Sequence, residues 1–297
     1  MRNALSIDVE DYFQVSAFDP VLARENWGRF ELRVERNVDR LLELFDRHQA
    51  RATFFTLGWV AERLPDMLRR IAAAGHEIAS HGMSHQRVTS MSPKEFRDDI
   101  RLSKALLEDL GGQAVQGYRA PSYSIGRENL WALDELAEAG YRYSSSIYPI
   151  YHDHYGMPEA PRFPFFSSNH GVLEIPVTTF VWGGRNYPGG GGGYFRLYPY
   201  ALTRWAIRRV NRQDSQPAVF YLHPWEIDPQ QPRIQGISRK TRFRHYLNLH
   251  RTEARLACLL RDFSWDRMDR VFADELHSAR QSPPAKKAFL QSGRETA

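Results

Sequence analysis

Residues 52–80 read ATFFTLGWVAERLPDMLRRIAAAGHEIAS, and this stretch decides the fold class. The branched and aromatic residues of 52–57 are typical of a strand, and residues 67–74 have a helical pattern that ends at Gly75. A second short apolar run follows at 77–80. A strand, a helix and another strand in this order predict a parallel βαβ unit.

The same alternation continues in both directions from this stretch. Before it, an apolar run at 4–9 predicts a strand, and apolar residues between 38 and 45 repeat with a helical period. After it, Ser92-Pro93-Lys94-Glu95 is a capping box that opens a helix ending at Gly111. Strands are then predicted at 115–118, 141–146, 172–178 and 218–222, and helices at 128–139 and 200–210. This alternation predicts an α/β fold, and in closed barrels of this class the chemistry lies at the carboxyl ends of the strands.

The composition is that of an ordinary globular chain, with 42% hydrophobic and 25% charged residues among 297. No apolar run approaches the ~20 residues that a membrane-spanning helix needs. The single cysteine, Cys258, excludes an internal disulfide framework. Met1-Arg2-Asn3 leads into the first strand without the apolar segment of a secretory signal, so we expect a cytoplasmic chain. Peripheral contact with the inner membrane face remains open at this point.

The chain carries a formal net charge of +5, a balance that suits a polyanion or an anionic membrane surface. The cationic residues are scattered, apart from Arg204, Arg208, Arg209, Arg212 and a group between 233 and 255. We interpret both groups as solvated helix faces. Nucleic-acid binding would rest on charge alone and is not expected. The sequence gives no indication of the oligomeric state.

Two stretches interrupt the regular alternation. Residues 148–169 contain four prolines, and residues 183–195 contain five consecutive glycines. Both are predicted to be loop insertions, with a lid over a substrate groove as the alternative for the second. No Gly-Lys-Ser/Thr follows the glycines, which argues against a nucleotide-binding loop. Residues 281–297 have no apolar period and are predicted to be a disordered tail.

Polar residues follow the predicted strands at the positions where barrel chemistry is expected. The first strand leads into Asp8, Glu10 and Asp11, and the third into His81 and His85. Two imidazoles four residues apart on a helical turn share one face, as a metal ion requires. With a carboxylate from a neighbouring strand end they form a two-histidine, one-carboxylate set that leaves coordination positions open.

Two further strand ends carry residues that fit the same chemistry. Arg119 follows the fourth strand, and an arginine at the mouth of an acidic site can hold a carboxylate in its ionised, oriented form. His223 follows the last strand and is suited to act as an acid or base. Glu226 and Asp228 lie near His223 in sequence, but the pattern does not decide which of them is its partner.

Asp8, His81-Gly-Met-Ser-His85, Arg119-Ala-Pro121 and Leu222-His223, in this order, resemble the motifs of the NodB-homology polysaccharide deacetylases, carbohydrate esterase family 4. The fuller strings DVEDYF from residue 8, RAPSYS from residue 119 and HPWEID from residue 223 resemble a subgroup found in bacterial exopolysaccharide loci. The resemblance implies a distorted (β/α)7 barrel with a helical C-terminal extension. It divides the chain into a deacetylase domain at 1–225, an extension at 226–280 and the tail.

The resemblance also implies roles for individual residues. It gives Asp8 as general base, Arg119 as the residue that positions Asp8, and His223 as general acid. A divalent metal would be bound by His81, His85 and an acid from the first strand. Where many members have a second aspartate this chain has Val9, so the ligand is Glu10 or Asp11. Because alternate strand residues share a side, Glu10 is favoured.

The predicted cofactor is one divalent ion, zinc by the type of its ligands, with cobalt, nickel, iron or manganese as alternatives. Substrate binding is assigned to Pro121, Tyr123 and Trp225. The resemblance gives the Tyr123 backbone N–H as a group that shares a developing oxyanion. Trp225 is an aromatic residue near a predicted strand end and is assigned as a surface on which a sugar ring could stack.

The predicted function is metal-dependent removal of acetyl groups from an N-acetylhexosamine-containing polysaccharide or its precursor, in bacterial exopolysaccharide biosynthesis. The alternatives are a metal-dependent amidohydrolase that acts on a small amide, and a non-catalytic glycan-binding protein on the same fold.

Overall fold

The structure is a computed structural model, and it describes residues 1–166 and 171–281. The predicted disordered tail at 281–297 lies outside the described residues, apart from Gln281. The end of the predicted loop at 148–169 also lies outside them.

The main sheet consists of nine strands and is mostly parallel. Seven parallel strands follow one another in the order β10-β1-β2-β3-β4-β5-β7, with β6 antiparallel at the edge and β11 beside the start of β1. The strands of the structure are β1 Arg2–Val9, β2 Thr53–Thr56, β3 Glu77–Ser80, β4 Gly117–Tyr118, β5 Tyr143–Ser144, β6 Phe165–Phe166, β7 Leu173–Glu174, β8 Thr179–Trp182, β9 Arg185–Pro188, β10 Val219–Leu222 and β11 Ser264–Asp266. The predicted α/β class is confirmed.

Helices connect the parallel strands as expected for βαβ units. The helices of the structure are α1 Val34–Arg47, α2 Gly58–Arg63, α3 Pro65–Ala73, α4 Pro93–Gly111, α5 Trp131–Glu138, α6 Gly192–Leu197, α7 Tyr200–Gln213, α8 Arg239–Tyr246, α9 Leu249–Asp262, α10 Met268–Val271 and α11 Ala273–Gln281, of which α10 and α11 follow the last strand. The predicted capping box opens α4: Ser92 accepts from the N–H of Glu95, and Glu95 accepts from the N–H of Ser92. Gly112 closes that helix in the left-handed conformation.

The sheet curls so strongly that strands far apart in its order meet across its inside. Arg119, directly after β4, donates from Nη1 to Asp8 Oδ1 at 2.6 Å and to Ser6 Oγ at 2.9 Å, both on β1. On the other side, the chain after β7 reaches β10, because the Thr178 N–H donates to the Val219 carbonyl and the Val219 N–H to Thr178 Oγ1. The predicted distorted barrel is therefore confirmed.

Alternate residues of β1 face two different environments. Leu5, Ile7 and Val9 pack against the surrounding helices in the larger core. Ala4 faces inward, into a smaller core that forms the floor of the barrel together with Phe55, Tyr143, Val219, Met268, Phe272 and Leu276. Ser6 and Asp8, two and four residues after Ala4 on the same strand, face the same inward side and lie nearer to the barrel mouth. The alternation therefore points the first acid of the strand end into the barrel.

The glycine-rich stretch at 183–195 differs from the predicted loop. Gly183 and Gly184, both at positive φ, form the two-residue turn of the β8–β9 hairpin, and α6 begins within the glycine run. Gly191 lies against β10, where an added Cβ would come within 1.9 Å of the Tyr221 carbonyl oxygen. Glycines are required here because two backbones approach closely, and the run is built into the barrel wall.

The predicted helical extension at 226–280 contains α8 to α11 and also returns to the sheet. Its strand β11 pairs in parallel with the first residues of β1, from Arg2 to Ala4. The N–H of Met268 then donates to Thr53 Oγ1 on β2. This part of the chain consequently completes the floor of the barrel.

Candidate active site

Asp8 and Arg119 form a buried ion pair at the centre of the barrel mouth. Besides its bonds to Asp8 and Ser6, the guanidinium of Arg119 donates from Nη2 to Ser145 Oγ and from Nε to the Ser145 carbonyl. The Cζ atom of the guanidinium lies over the ring of Phe55, 4.1 Å from the ring centre. With so many of its N–H groups bonded, Arg119 holds one oxygen of Asp8 in a fixed orientation. The other oxygen of Asp8 lies 3.9 Å from His223 Nε2.

Glu10, His81 and His85 come together beside this pair. One donor atom from each of the three buried side chains lies within 4.8 Å of the others. Nδ1–H of His81 donates to the Arg119 carbonyl at 2.8 Å, which leaves the Nε2 lone pair directed into the cluster. His85 has a φ of 54°, a conformation that side-chain-bearing residues rarely adopt. The sequence-predicted ligand set is thus assembled in one place.

The atoms of this cluster fit a divalent cation. Nε2 of His85 lies 2.7 Å from Oε2 of Glu10, a buried oxygen for which no hydrogen bond of good geometry is found among the described residues. A buried carboxylate oxygen without a partner is costly, and a cation between the two atoms would satisfy both. Two imidazoles and one carboxylate also match the ligand chemistry of catalytic zinc sites.

Asp11, the alternative ligand, is engaged elsewhere. Its Oδ2 accepts hydrogen bonds from the N–H groups of Arg33 and Val34 at the start of α1, and its Oδ1 accepts from the Tyr12 N–H. Asp11 thereby anchors the N-terminus of α1, where a negative charge is favourable. The structure directs Glu10, and not Asp11, at the histidines.

His223 lies next to both Asp8 and Glu10 and has a defined partner. Its Nδ1–H donates to Glu226 Oε1 at 2.8 Å, and Glu226 Oε2 accepts from Arg196 Nε at 2.6 Å. His223 Nε2 therefore faces the barrel mouth, 3.5 Å from Oε1 of Glu10. Asp228, the other acid considered, pairs with Arg33 and Arg36 away from His223.

Burial and charge set the protonation of these groups. Burial, opposed by the charge of Asp8, lowers the pKa of His81 to about 4, so His81 is neutral as a metal ligand must be. Burial alone would lower the pKa of His223, but the carboxylates of Glu10 and Glu226 outweigh it and raise that pKa to about 9. For Glu10 burial is outweighed by the imidazoles of His85 and His223, which hold its pKa below the ordinary range. His223 is therefore suited to donate a proton.

The three residues assigned to substrate binding have different surroundings. Pro121 begins a helical turn, Pro121–Tyr123, in which the Tyr123 N–H donates to the Ala120 carbonyl at 3.0 Å. The Tyr123 N–H could donate to an oxyanion only if its hydrogen bond to the Ala120 carbonyl were broken. The buried hydroxyl of Tyr123 has no hydrogen-bond partner among the described residues. Tyr123 therefore offers a polar group to the interior of the site.

Trp225 is not a free stacking surface. One face of its ring stacks on His223 and the other on His245, with ring centres 5.0 and 4.2 Å away. Its indole N–H donates to Glu10 Oε1 at 3.2 Å. With both faces covered, Trp225 holds Glu10 and His223 in place, and the geometry leaves no face for a sugar ring.

Two residues that complete the site, Arg196 and Ser145, were not predicted from the sequence. Arg196 is separated by 30 residues from its partner Glu226, and Ser145 by 26 residues from Arg119. No local spacing predicts such contacts. The available signal was the position of Arg196, a charged residue inside an apolar helical turn directly after the glycine run.

Two family models match the chain. The model described as polysaccharide deacetylase matches residues 27–144, and the model described as domain of unknown function (DUF3473) matches residues 145–273. Residues 27–144 thus match the polysaccharide deacetylase family. The resemblance to NodB-homology polysaccharide deacetylases is confirmed over that part of the chain.

Among curated relatives of the chain, the peptidoglycan deacetylase of Helicobacter pylori is 33% identical over 113 residues, which are 38% of this chain and 38% of that protein. The match therefore spans less than half of the relative's length. A solved structure from Mycobacterium smegmatis that carries the name polysaccharide deacetylase aligns with a TM-score of 0.60 at 20% identity, over 96% of this chain and 93% of the other. Puue allantoinase aligns with a TM-score of 0.58 at 15% identity, over 96% and 91%. At these identities the structural matches establish the fold.

Within residues 1–166 and 171–281 of the chain, no helix has the length and apolar character needed to cross a bilayer.

Proposed function

We propose that the protein is a metal-dependent N-deacetylase that acts on N-acetylhexosamine units of a polysaccharide or of its precursor and releases acetate. The observation that carries this proposal is the meeting of three groups at one barrel mouth: the Asp8–Arg119 pair, the Glu10–His81–His85 cluster and the His223–Glu226 pair. The name of the Helicobacter pylori relative supports an acetylated glycan as substrate.

Hydrolysis of an amide needs an activated water, a polarised carbonyl and a proton for the departing amine. Glu10, His81 and His85 would hold a divalent ion, which supplies Lewis acidity to the carbonyl and to a water. Zinc fits this donor set, and we propose it as the native metal. Side chains of the site would accept the proton of the water and donate a proton to the departing amine.

Asp8 is suited to accept the proton of the attacking water. Arg119 occupies one oxygen of Asp8, so the other, on the His223 side, is available as base. His223 is suited to donate a proton to the leaving nitrogen, because Glu226 fixes its Nδ1–H and leaves Nε2–H directed into the mouth. Arg196 in turn holds Glu226 by a buried ion pair.

We further propose that residues 1–225 form the deacetylase domain and that 226–280 support it, since His245 of α8 packs on Trp225 next to His223. The resemblance to sequences from exopolysaccharide loci favours a role in the synthesis of such a polymer.

The first experiment measures bound metal by elemental mass spectrometry in the parent and in His81→Ala. We expect near-stoichiometric metal in the parent and its loss in the variant. His250→Ala, which alters an exposed histidine on α9, is the matched control and should retain the metal. A parent that stays empty after incubation with zinc, cobalt and nickel would overturn the metal-dependent reaction.

Acetate release from N-acetylated hexosamine oligomers then tests the side-chain roles. Asp8→Asn should keep its metal and lose about 100-fold or more in rate, the size of a general-base contribution. His223→Ala should lose a similar factor. A rate within a few-fold of the parent in either variant would remove that residue from its role. Metal loss in Asp8→Asn would mean that Asp8 is itself a ligand.

A further inference from the structure

One face of the β8–β9 hairpin carries exposed aromatic side chains. Phe180 lies opposite Tyr187 in the hairpin register, and Trp182 lies opposite Arg185. Because residues two apart on a strand point to the same side, these four side chains share one face. Trp182 is 68% exposed and Tyr187 is 40% exposed. So large an exposed indole is unusual for a surface without a partner.

The helix α7 extends this face. Trp205, which is 42% exposed, packs edge-on against Phe180 with ring centres 5.4 Å apart. Arg209 lies over the ring of Trp205 at 5.5 Å. Arg208 and Arg212 are exposed three and seven residues after Trp205, which places them on the same side of the helix. Hairpin and helix thus present aromatic rings next to guanidinium groups.

The cationic part of this face continues into a groove of about 1030 Å³ at the floor end of the barrel. Six arginines contribute to its lining: Arg2, Arg51, Arg208, Arg212, Arg261 and Arg270. The acids of the groove are Asp262 and Asp266, and both are already engaged, Asp262 by Tyr200 and Asp266 by Arg2. Arg208 and Arg212 connect the groove to the exposed side of α7.

The segment that forms most of this face contains no acidic residue. Between Glu174 and Asp214 there is no aspartate or glutamate, while five arginines besides the buried Arg196 occur there. We propose that the face formed by the β8–β9 hairpin, the exposed side of α7 and the arginine groove docks the protein on an anionic lipid bilayer.

The chemistry of the face matches that of a bilayer surface. Tryptophan and tyrosine favour the headgroup region, where an apolar ring and a polar N–H or O–H are both accommodated. Arginines next to them are attracted to anionic headgroups, each with an appreciable free energy near the surface. The face lies on the outer wall, built from the hairpin and α7, while the catalytic groups lie inside the barrel mouth. This inference does not rest on the proposed reaction.

The test is co-sedimentation of the full chain with phosphatidylcholine vesicles that either contain or lack phosphatidylglycerol. We expect binding to the anionic vesicles, weakening as salt is raised, and little binding to phosphatidylcholine alone. Arg208→Glu/Arg212→Glu should weaken binding by at least about tenfold. Trp182→Ser/Trp205→Ser should weaken it by about tenfold while leaving the salt dependence in place.

The matched control is Arg69→Glu/Arg101→Glu, which changes the net charge equally at exposed positions on α3 and α4. It should bind within about threefold of the parent, because these charges lie outside the face. Circular dichroism and metal content of each variant establish that it is folded.

Several results would overturn the proposal. The first is a folded parent that fails to bind phosphatidylglycerol vesicles at low salt. The second is an equal loss of binding in the control variant, which would mean attraction by net charge alone. If the tryptophan variant instead turns a dimer into a monomer, or loses binding to soluble glycan with vesicle binding unchanged, the face belongs to a second copy or to a glycan.

Discussion

Substitution of Glu77 by glutamine tests the structure in the floor of the barrel, away from the proposed catalytic groups. The carboxyl of Glu77 is buried there, where the hydroxyls of Thr53 and Tyr143 donate to it and Asp269 lies nearby. Burial, and after it the negative charge of Asp269, raise the pKa of Glu77 from 4.5 to about 8. Glu77→Gln replaces the protonated carboxyl by a neutral group of nearly the same shape.

The sign and size of the effect follow from proton linkage. Below pH 4.5 the folded and the unfolded chain both hold the proton on Glu77. Between pH 4.5 and about 8 the unfolded chain releases it and the folded chain retains it, so the parent loses about 1.4 kcal/mol of stability per pH unit. Across that interval the loss reaches about 4–5 kcal/mol. The glutamine variant lacks this loss, and its advantage over the parent should grow with pH and then level off.

Urea unfolding followed by tryptophan fluorescence at roughly pH 5, 7 and 9 measures the difference in free energy of unfolding between variant and parent. Titrating groups that do not interact with Glu77 contribute equally to both proteins and cancel, so the difference reports Glu77 together with its neighbour Asp269. Glu138→Gln, at an exposed position of α5, is the control and should show a difference that does not change with pH. A difference for Glu77→Gln that is equally flat would refute the reasoning about this carboxyl.

Two further predictions concern the surroundings of the site. Arg196→Met removes one of the two cationic partners of the buried Glu226 and leaves only His223 beside it, so thermal or urea unfolding should show a loss of about 1.5–3 kcal/mol; a loss below about 1 kcal/mol would mean that the pair is not buried as described. Glu10→Gln should lose bound metal, whereas Asp11→Asn should retain the metal and instead lose about 2–4 kcal/mol of stability, because Asp11 accepts three backbone N–H bonds near the start of α1. Elemental analysis and urea unfolding of the two variants separate these outcomes, and the opposite pattern would exchange the roles of the two acids.

The regular parts of the fold were predictable because local signals decide them. The capping box at Ser92 and the glycines at 111–112 give the bounds of α4, and the apolar run at 77–80 coincides with β3. The alternation of β1 also favoured Glu10 over Asp11, which the structure places apart, one facing the histidines and one at the start of α1.

The remaining features depend on contacts that no local pattern contains. Residues 183–195 were predicted to be a loop. Gly183-Gly184, between two short strand-like runs, is however also the signal of a two-residue hairpin. Trp225 was predicted to be a stacking surface because aromatic residues near a barrel mouth often are, but packing between His223 and His245 takes both of its faces. Only the folded chain brings His245 to that position.

The pairing of β1 with β10 and β11 has a consequence for synthesis on the ribosome. Arg2 bonds to Asp266, 264 residues further along the chain, so β1 is synthesised long before β10 and β11, two of the strands that pair with it. At translation rates of about 5–20 residues per second this delay lasts on the order of tens of seconds. During that time β1 has an unpaired edge and an uncovered apolar side, the condition under which nascent chains aggregate or recruit chaperones. Translation speed and chaperone supply, as much as sequence, should therefore govern how much active protein a cell obtains.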